Sequence, residues 1–355
     1  MRDNGSSDGA HTECMDILII GGTRNMGHFL THTLCSAGHV VTVLNRGKTR
    51  DELPSNVERL RADRTEPEQL RSVLAQRRFD AVVDTTLYTA KEAHAVVELL
   101  RERTEHYIFI SSGQVYLVRE GLSRPFKESD YPGRLMPTPK PDTFAHAEWR
   151  YGIAKREAED ALRQAWDEHE FPVTTLRLPM VNSERDPFFR LYNYVLRLRD
   201  GGPILTPMTP NFPLRHVYSG DVVNAIVRIV EAGLGKGRAY NLSQEETVSL
   251  DEFLGMVGGI MDISPKIVRL PRATLEANGF LPDCSPFSER WMSELDNSLS
   301  KAELGITYTP LETYLSQIVR YYLEHMPPKP SGYRRRKAEI MLLQFENEFS
   351  TEISK

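Results

Sequence analysis

The sequence predicts an α/β protein built on a Rossmann-type doubly wound parallel sheet, and three observations carry that reading. Short apolar runs of β-forming residues alternate with amphipathic helical patterns through the first half of the chain. Those runs are apolar at nearly every position, as in strands buried on both faces. The first of them ends in glycines that open into a helix, in the stretch ILIIGGTRNMG, the build of a dinucleotide-binding turn.

In order, DILII (16–20) is the first strand and HFLTHTLCSAG the helix after the turn. VVTVLN (40–45), VERLRA (57–62), AVVDT (81–85), YIFI (107–110) and VTTLRL (173–178) are further strands, and TAKEAHAVVELLRER is a helix between two of them. Right-handed crossovers would cover both faces of such a sheet. After Leu178 the regularity fails. PMVNSERDP is a loop, FFRLYNYVLRLRDGG a helix, and PILTPMTPNFP a proline-rich stretch. RHVY is expected to return to the sheet as a strand, with GDVVNAIVRIVEAG a helix packed on it; AYNLS is another strand and SLDEFLGMVGGI another helix. YRRRKAEIMLLQFENEF has the pattern of a charged amphipathic helix whose basic start is a solvated face. The expected organisation is a disordered leader over 1–15 and a nucleotide-binding domain over 16–180, to which 213–242 returns. A smaller, interleaved C-terminal substrate lobe would take 181–212 and 243–330, with a helix or tail over 331–355.

Composition limits the function classes. The chain has 355 residues, 40% of them hydrophobic, and a formal net charge of −5, so nothing global recruits nucleic acid or an anionic membrane. Cys14, Cys35 and Cys284 lie far apart with no metal-ligand spacing, so no metal is expected and a reducing compartment suits them. The polar opening MRDNGSSDGAHTE lacks the apolar core of a signal peptide. No apolar run approaches the ~20 residues that span a bilayer. A soluble, cytoplasmic protein without membrane partners is the expectation.

In the turn, Gly21 permits the tight bend and Gly27 lets the helix pack against the sheet. Free N–H groups at the helix start face a pyrophosphate, and Thr23, Asn25 and Met26 belong to the same loop. Arg24 stands where a bare backbone is usual. Taken alone, GGTRNMG is a modest signal, since glycine-rich turns also serve purely structural ends. The second strand sharpens it, because it ends in Asn45-Arg46 where an acidic residue would hold the ribose hydroxyls of NAD. With no carboxylate to repel a 2′-phosphate, and with Arg46 and Arg24 offering planar donor forks, the pair favours NADP(H), with NAD the alternative. The competing reading makes Arg46 a solvated turn residue. Asp63, after the third strand, is placed to accept from the adenine amino group.

FISSGQVY (109–116) follows a buried strand, and YGIAK (151–155) lies at the start of a helix. A Tyr and a Lys four residues apart share one helix face. An ammonium beside a phenol lowers the phenol pKa and readies it for proton exchange with a substrate oxygen. A serine hydroxyl opposite would hold the same oxygen.

With these pieces in register, the chain resembles the extended short-chain dehydrogenase/reductase superfamily, its NAD-dependent epimerase/dehydratase group. GGTRNMG, VLNRG, SSGQVY, YGIAKREAEDAL, LRLPMV, HVYSGDVVNAI and AYNLS follow the family's order from about residue 16 to 270. The GGTR and NRG variants resemble a branch with bacterial isoflavone-reductase-like and plastid stem-loop RNA-binding proteins. The resemblance implies Ser112 as catalytic serine, Tyr151 as acid/base, and Lys155 supporting it while contacting the nicotinamide ribose. It implies that Ser111 is scaffold, that Thr86 and Tyr88 border the ribose, and that Pro179 and Val181 border the carboxamide. It also implies a homodimer formed through the YxxxK helix.

The departures from the family pattern bear on the reaction. Dehydratases carry an Asp-Glu pair directly after the catalytic hydroxyl; here Gly113 and Gln114 stand there, so dehydration is not expected. The arginine that grips a nucleotide diphosphate is replaced by Leu214, with Arg215 one residue along and on the opposite strand face. Arg190, Arg197 or His216 are candidate substitutes, each also explicable as a helix-face charge or a satisfied histidine. The proline-rich loop between SSGQVY and YGIAK would wrap the substrate pocket and deliver His146, Glu148 and Trp149 just before Tyr151. Gln114, His146, Trp149, Arg190 and His216 are thus the candidate substrate contacts, with His146 either a second proton carrier or a surface residue.

The function implied is an NADP(H)-dependent oxidoreductase or epimerase. It would act on a secondary alcohol or ketone of a sugar, nucleotide-sugar or sugar-like small molecule. An RNA-binding protein on the same scaffold is the alternative; the RRRK patch (334–337) speaks for it and the acidic net charge against it. A third possibility is a cofactor-bound regulator without turnover.

Overall fold

A computed structural model describes residues 13–209 and 211–343, so the expected leader lies mostly outside the described residues. From β1 (Asp16–Ile20) the chain runs through α1 (Asn25–Ser36), β2 (Val40–Asn45), β3 (Glu58–Arg61), α2 (Pro67–Leu74), β4 (Ala81–Asp84), α3 (Ala90–Leu100) and β5 (Tyr107–Ser112). There follow α4 (Gln114–Leu117), α5 (Phe144–His169), β6 (Val173–Leu178), β7 (Val181–Asn182), α6 (Arg190–Arg199), β8 (Ile204–Pro207) and β9 (Val217–Tyr218). The remainder comprises α7 (Ser219–Ala232), β10 (Arg238–Asn241), α8 (Leu250–Ile260), β11 (Ile267–Leu270), α9 (Arg272–Ala277), α10 (Ser298–Leu304) and α11 (Leu311–His325).

Seven strands form one parallel sheet in the order β10-β6-β5-β4-β1-β2-β3. The winding reverses between β1 and β4, and such a switch point opens a crevice at the carboxyl ends of the strands. Both faces of the sheet are covered. Ile17 and Ile19 point into a core shared with α1 and α7, while Leu18 and Ile20 join one shared with α2, α3 and α5. This two-sided burial explains why DILII is apolar rather than alternating. A third core gathers Leu191, Tyr194, Phe253, Phe287, Tyr314 and Ile318 from α6, α8, α11 and the loop before α10, and forms the smaller lobe.

Several expectations need correction or completion. RHVY does not return to the main sheet: β9 pairs with β7 in a separate two-stranded ladder, because β10 already occupies the open edge of β6. The proline-rich PILTPMTPNFP contains β8, which pairs with β11; its pairing carbonyls survive beside prolines that have no N–H to give. YGIAK lies two turns inside α5, because Thr143 caps the helix by accepting from the N–H of His146 at 3.2 Å. His146, Glu148 and Trp149 are therefore helical and not part of the preceding loop. Last, the basic start of the final segment is a solvated face at Arg334, Arg335 and Lys337, but not at Arg336. Arg336 is 5% exposed and pairs with Asp200 at 2.7 Å and Glu339 at 3.0 Å, and the helix it begins is described over 336–343.

No helix among the described residues is long and apolar enough to cross a membrane. Among them, no cluster of His, Cys, Asp and Glu could hold a metal ion.

Candidate active site

The glycine turn takes the backbone where side chains cannot follow. Gly21 has φ +111°, and a Cβ there would strike Thr85 Oγ1. A Cβ on Gly27 would sit 2.8 Å from the Cα of Gly22. The result is a bare-backbone cradle at the start of α1, whose N–H groups face a cleft of about 540 Å³, within the range of small-molecule sites. Gly21, Thr23, Arg24, Asn25, Met26, Gly27, Asn45, Arg46, Asp63, Thr86 and Tyr88 all line it. Pro179, in the turn after β6, and Val181, the first residue of β7, are not among its lining residues.

At the β2–β3 end of this cleft the charge is mostly positive. Arg24 swings away from the helix it caps and donates to Thr49 Oγ1 at 2.6 and 3.2 Å, which carries its guanidinium to the loop after β2. Arg46 and Lys48 line the same wall. Asn45 Oδ1 accepts from the N–H of Gly47 at 2.8 Å and from Arg61. The one nearby carboxylate is Asp63, with Oδ2 3.9 Å from Arg46 and Oδ1 accepting from the N–H and hydroxyl of Thr65 at 3.0 and 2.8 Å. Those hydrogen bonds hold it below the usual carboxylate range.

The trio expected to be catalytic, Ser112, Tyr151 and Lys155, sits at the adjoining edge. Tyr88 joins the two regions, its ring centroid 6.2 Å from that of Tyr151. Ser112, at the end of β5, lies beside the Tyr151 phenol, on which it acts as a lowering influence, and accepts from the N–H of Gln114 at 3.2 Å. Lys155, one turn along α5, donates from Nζ to the carbonyls of Leu87 at 2.6 Å and Ile110 at 2.9 Å. Burial pushes it down to about 7.

One electrostatic expectation is overturned. Tyr151 is not made acidic by its lysine neighbour: burial pushes the phenol up to about 12, with Ser112 the lowering influence. Two of the three ammonium N–H groups of Lys155 go to backbone carbonyls.

Ser111 faces the other way. Its hydroxyl bonds Glu159, which pairs with Arg177 at 2.6 Å, and Arg177 in turn donates to Tyr116 at 2.7 Å. This buried network fixes β5 against α5 and β6.

On the substrate side, Gln114 is buried and donates from Nε2 to Glu148, leaving its Oε1 without a partner among the described residues. Burial raises Glu148, and Gln114 works in the opposite sense. His146 stacks on Trp149 at 6.2 Å between centroids. A Cβ on Gly113 would strike Ser293 Oγ and lie 2.7 Å from its Cβ, so this backbone has no room for an acidic side chain.

The candidate anion grips are engaged elsewhere. Arg190 pairs with Asp186 at 3.2 Å and stacks on Phe188. Arg197, fully buried, pairs with Glu339 at 2.5 Å. Arg215 donates to the carbonyl of Gln244 at 3.0 Å. His216 is buried against Phe253 and Phe287 with Nδ1 on Asn182 at 3.0 Å, and burial pushes it down to about 3. It is a neutral core histidine.

Sequence reasoning missed Arg64, Glu92, Pro187 and Phe188, which also line the cleft, and Ser293 opposite Gly113. Glu92 carried a signal, the Thr89–Glu92 capping box at the start of α3. The others come from segments with no local pattern.

The comparisons agree with this architecture. A sequence model of the NAD dependent epimerase/dehydratase family matches residues 17–243. The Arabidopsis thaliana chloroplast stem-loop binding protein of 41 kDa b is 37% identical over 114 residues, covering 28% of this chain and 30% of its own. A 2′-dehydrokanamycin reductase of Streptomyces kanamyceticus is 28% identical over 169 residues, 48% of this chain and 44% of its own. The chain thus matches less than half the length of these curated relatives. A Thermotoga maritima UDP-glucose 4-epimerase, solved with UDP-glucose, superposes with a TM-score of 0.70 at 19% identity, over 88% of this chain and 100% of that one.

Proposed function

The chain belongs to the NAD dependent epimerase/dehydratase family, and from that premise we propose that it is an NADP(H)-dependent reductase or epimerase. Its substrate is a secondary alcohol or ketone on a sugar or sugar-like small molecule. The observation that carries this reading is the gathering of Ser112, Tyr151 and Tyr88 at the edge of the glycine-floored cleft.

The residues present fit a dinucleotide. The cradle formed by Gly21 and Gly27 would be filled by any side chain, and the first N–H groups of α1 are free for phosphate oxygens. Arg24, Arg46 and Lys48 gather at the end where a 2′-phosphate would lie, with an amide at Asn45 in place of a carboxylate. A bound NADP(H) supplies a hydride donor or acceptor. The chain's own part is the proton. Ser112 orients the substrate oxygen, and Tyr151 gives or takes its proton. Lys155 braces the end of β5 and the loop after β4 by holding the carbonyls of Ile110 and Leu87.

Two features narrow the chemistry. Gly113 leaves no space for the acid that elimination of water would need. Arg215 is tied to Gln244, which removes a diphosphate handle and favours a free sugar-like substrate over a nucleotide sugar. The resemblance to a 2′-dehydrokanamycin reductase supports the same direction. The RNA-binding alternative rested on the RRRK patch, and there Arg335 donates to the carbonyls of Asn278 and Gly279 and Arg336 is internally paired.

The proposal includes a homodimer packed through α5 and its neighbour α3; light scattering that finds only monomer at micromolar concentration would rule the dimer out. The functional reading is tested by titrating the purified protein with NADPH and NADH and by mass spectrometry of any nucleotide that copurifies. Absence of affinity for both nucleotides overturns it. Tightly held nucleotide that recycles without addition points to epimerisation, whereas stoichiometric NADPH consumption points to reduction.

A further inference from the structure

Arg64 follows β3, yet its guanidinium is bonded at the end of β4, so the segment after β3 and this side chain together span the ends of β2 and β1 that lie between them. Nη1 donates to Asp84 Oδ1 at 2.6 Å and to Thr86 Oγ1 at 3.1 Å. The residue is 9% exposed and lines the cleft next to Asp63 and Thr65. Nε is 3.6 Å from Glu92 Oε2, an ion-pair distance but too long for a hydrogen bond. Among the described residues, neither Nε nor Nη2 has a hydrogen-bond partner.

Two idle donors on a buried cation are costly unless something fills them. Pairing with Asp84 does not explain them. Asp84 is fully buried and already takes the Tyr107 hydroxyl at 2.6 Å, and a lysine would meet its remaining charge without leaving spare N–H groups. The cleft wall here is made by the residues after β3 and after β4, the two segments between which the adenosine half of a dinucleotide lies in this sheet order. That half offers what the fork lacks: ring-nitrogen and ribose acceptors, and a π face for a guanidinium.

We infer that Arg64 is a cofactor-binding residue whose unused Nε and Nη2 donors are completed by acceptor atoms of the adenosine half of the dinucleotide. The inference rests on the proposed NADP(H) binding and deepens it by assigning a contact the glycine turn does not supply. The site is then incomplete without cofactor, and binding relieves a standing polar deficit under the cleft.

The test pairs a variant with a measurement on the unaltered chain. Arg64→Lys keeps a cation for Asp84 and removes the fork. Its affinity for NADPH, and for 2′,5′-ADP as the adenosine fragment (AMP if the wild type prefers NADH), should fall together by about 10- to 100-fold, while the ligand-free unfolding midpoint stays near that of the wild type. Wild-type affinity in the variant overturns the inference, as does a loss for NADPH that spares the fragment. On the wild-type chain, NMR of the Arg64 Nε–H should show a shift and slower exchange when the fragment is added. An unmoved signal overturns the inference even if the variant fails to fold. Wild-type protein without affinity for either dinucleotide brings down the functional proposal and the inference together, which differs from a loss confined to the variant.

Discussion

Lys155 donates from Nζ to the carbonyl oxygen of Leu87 at 2.6 Å, and this bond commits to the backbone one N–H of the ammonium that the YxxxK spacing would direct at Tyr151. The phenol, pushed up to about 12 by burial, is protonated in the free protein at neutral pH. The positive charge of an oxidised nicotinamide ring nearby favours the phenolate. An ultraviolet titration of wild type against Tyr151→Phe should resolve one phenol near 12 that moves to lower pH when NADP⁺ is added. A phenol that ignores the nucleotide would remove Tyr151 from the chemistry.

On the proposed NADP(H) reading, Arg24 and Arg46 act only toward a 2′-phosphate. Replacing either with Ala should weaken NADPH binding roughly 10-fold, the loss of a charge-assisted hydrogen bond of about 1.5 kcal/mol, and leave NADH binding nearly unchanged. Fluorescence titration with both nucleotides gives the ratio. Equal losses for the two would show that the arginines serve the pyrophosphate instead.

Gly113 and Ser293 are in steric contention. Gly113→Ala should destabilise the fold by about 1–3 kcal/mol through overpacking, read as a lower midpoint in denaturant. Ser293→Gly in the same chain should recover most of it, because the clash is with the Ser293 side chain. A double variant no better than the single one would place the strain elsewhere.

His216 gives the fold an acid limit. Its folded value of about 3 lies below the ordinary 6.5, so between those values the unfolded chain binds a proton that the folded chain refuses. Stability from the neutral form is whole above pH 6.5 and is lost as pH falls toward 3. Compared with His216→Gln, the wild type should lose about 2 kcal/mol more between pH 7 and pH 5. Parallel stability curves for the two would contradict this.

Arg336 is expected to matter for stability and not for nucleic acid. Removing one partner of a buried pair costs about 3 kcal/mol, so Arg336→Met should lower the unfolding midpoint by several degrees. RNA affinity, measured at low and high salt, should not respond.

Much of the fold was legible because it rests on local signals. β1, β2 and β6 match their apolar runs residue for residue, and the glycine turn announces the switch point. The residues lining the β2–β3 end of the cleft were legible for the same reason, since each sits at a fixed offset from a strand end. What escaped depends on contacts distant in sequence. Ser293 meets Gly113 across some 180 residues, Arg197 meets Glu339 across 142, and Arg64, which follows β3, meets Asp84 at the end of β4. The Tyr151–Lys155 spacing was read correctly as one helix face, but spacing carries no information about the carbonyls of Leu87 and Ile110 that claim the ammonium.

The contact at Gly113 also constrains what this chain can become. A carboxylate at 113, the first requirement for a water-eliminating descendant, is inaccessible while the serine 180 positions later keeps its side chain. The order of change is therefore imposed: the distant loop must shrink first, by a substitution with no catalytic merit of its own. Directed evolution that varies only the residues around Tyr151 should stall at this step, and libraries that include position 293 should pass it.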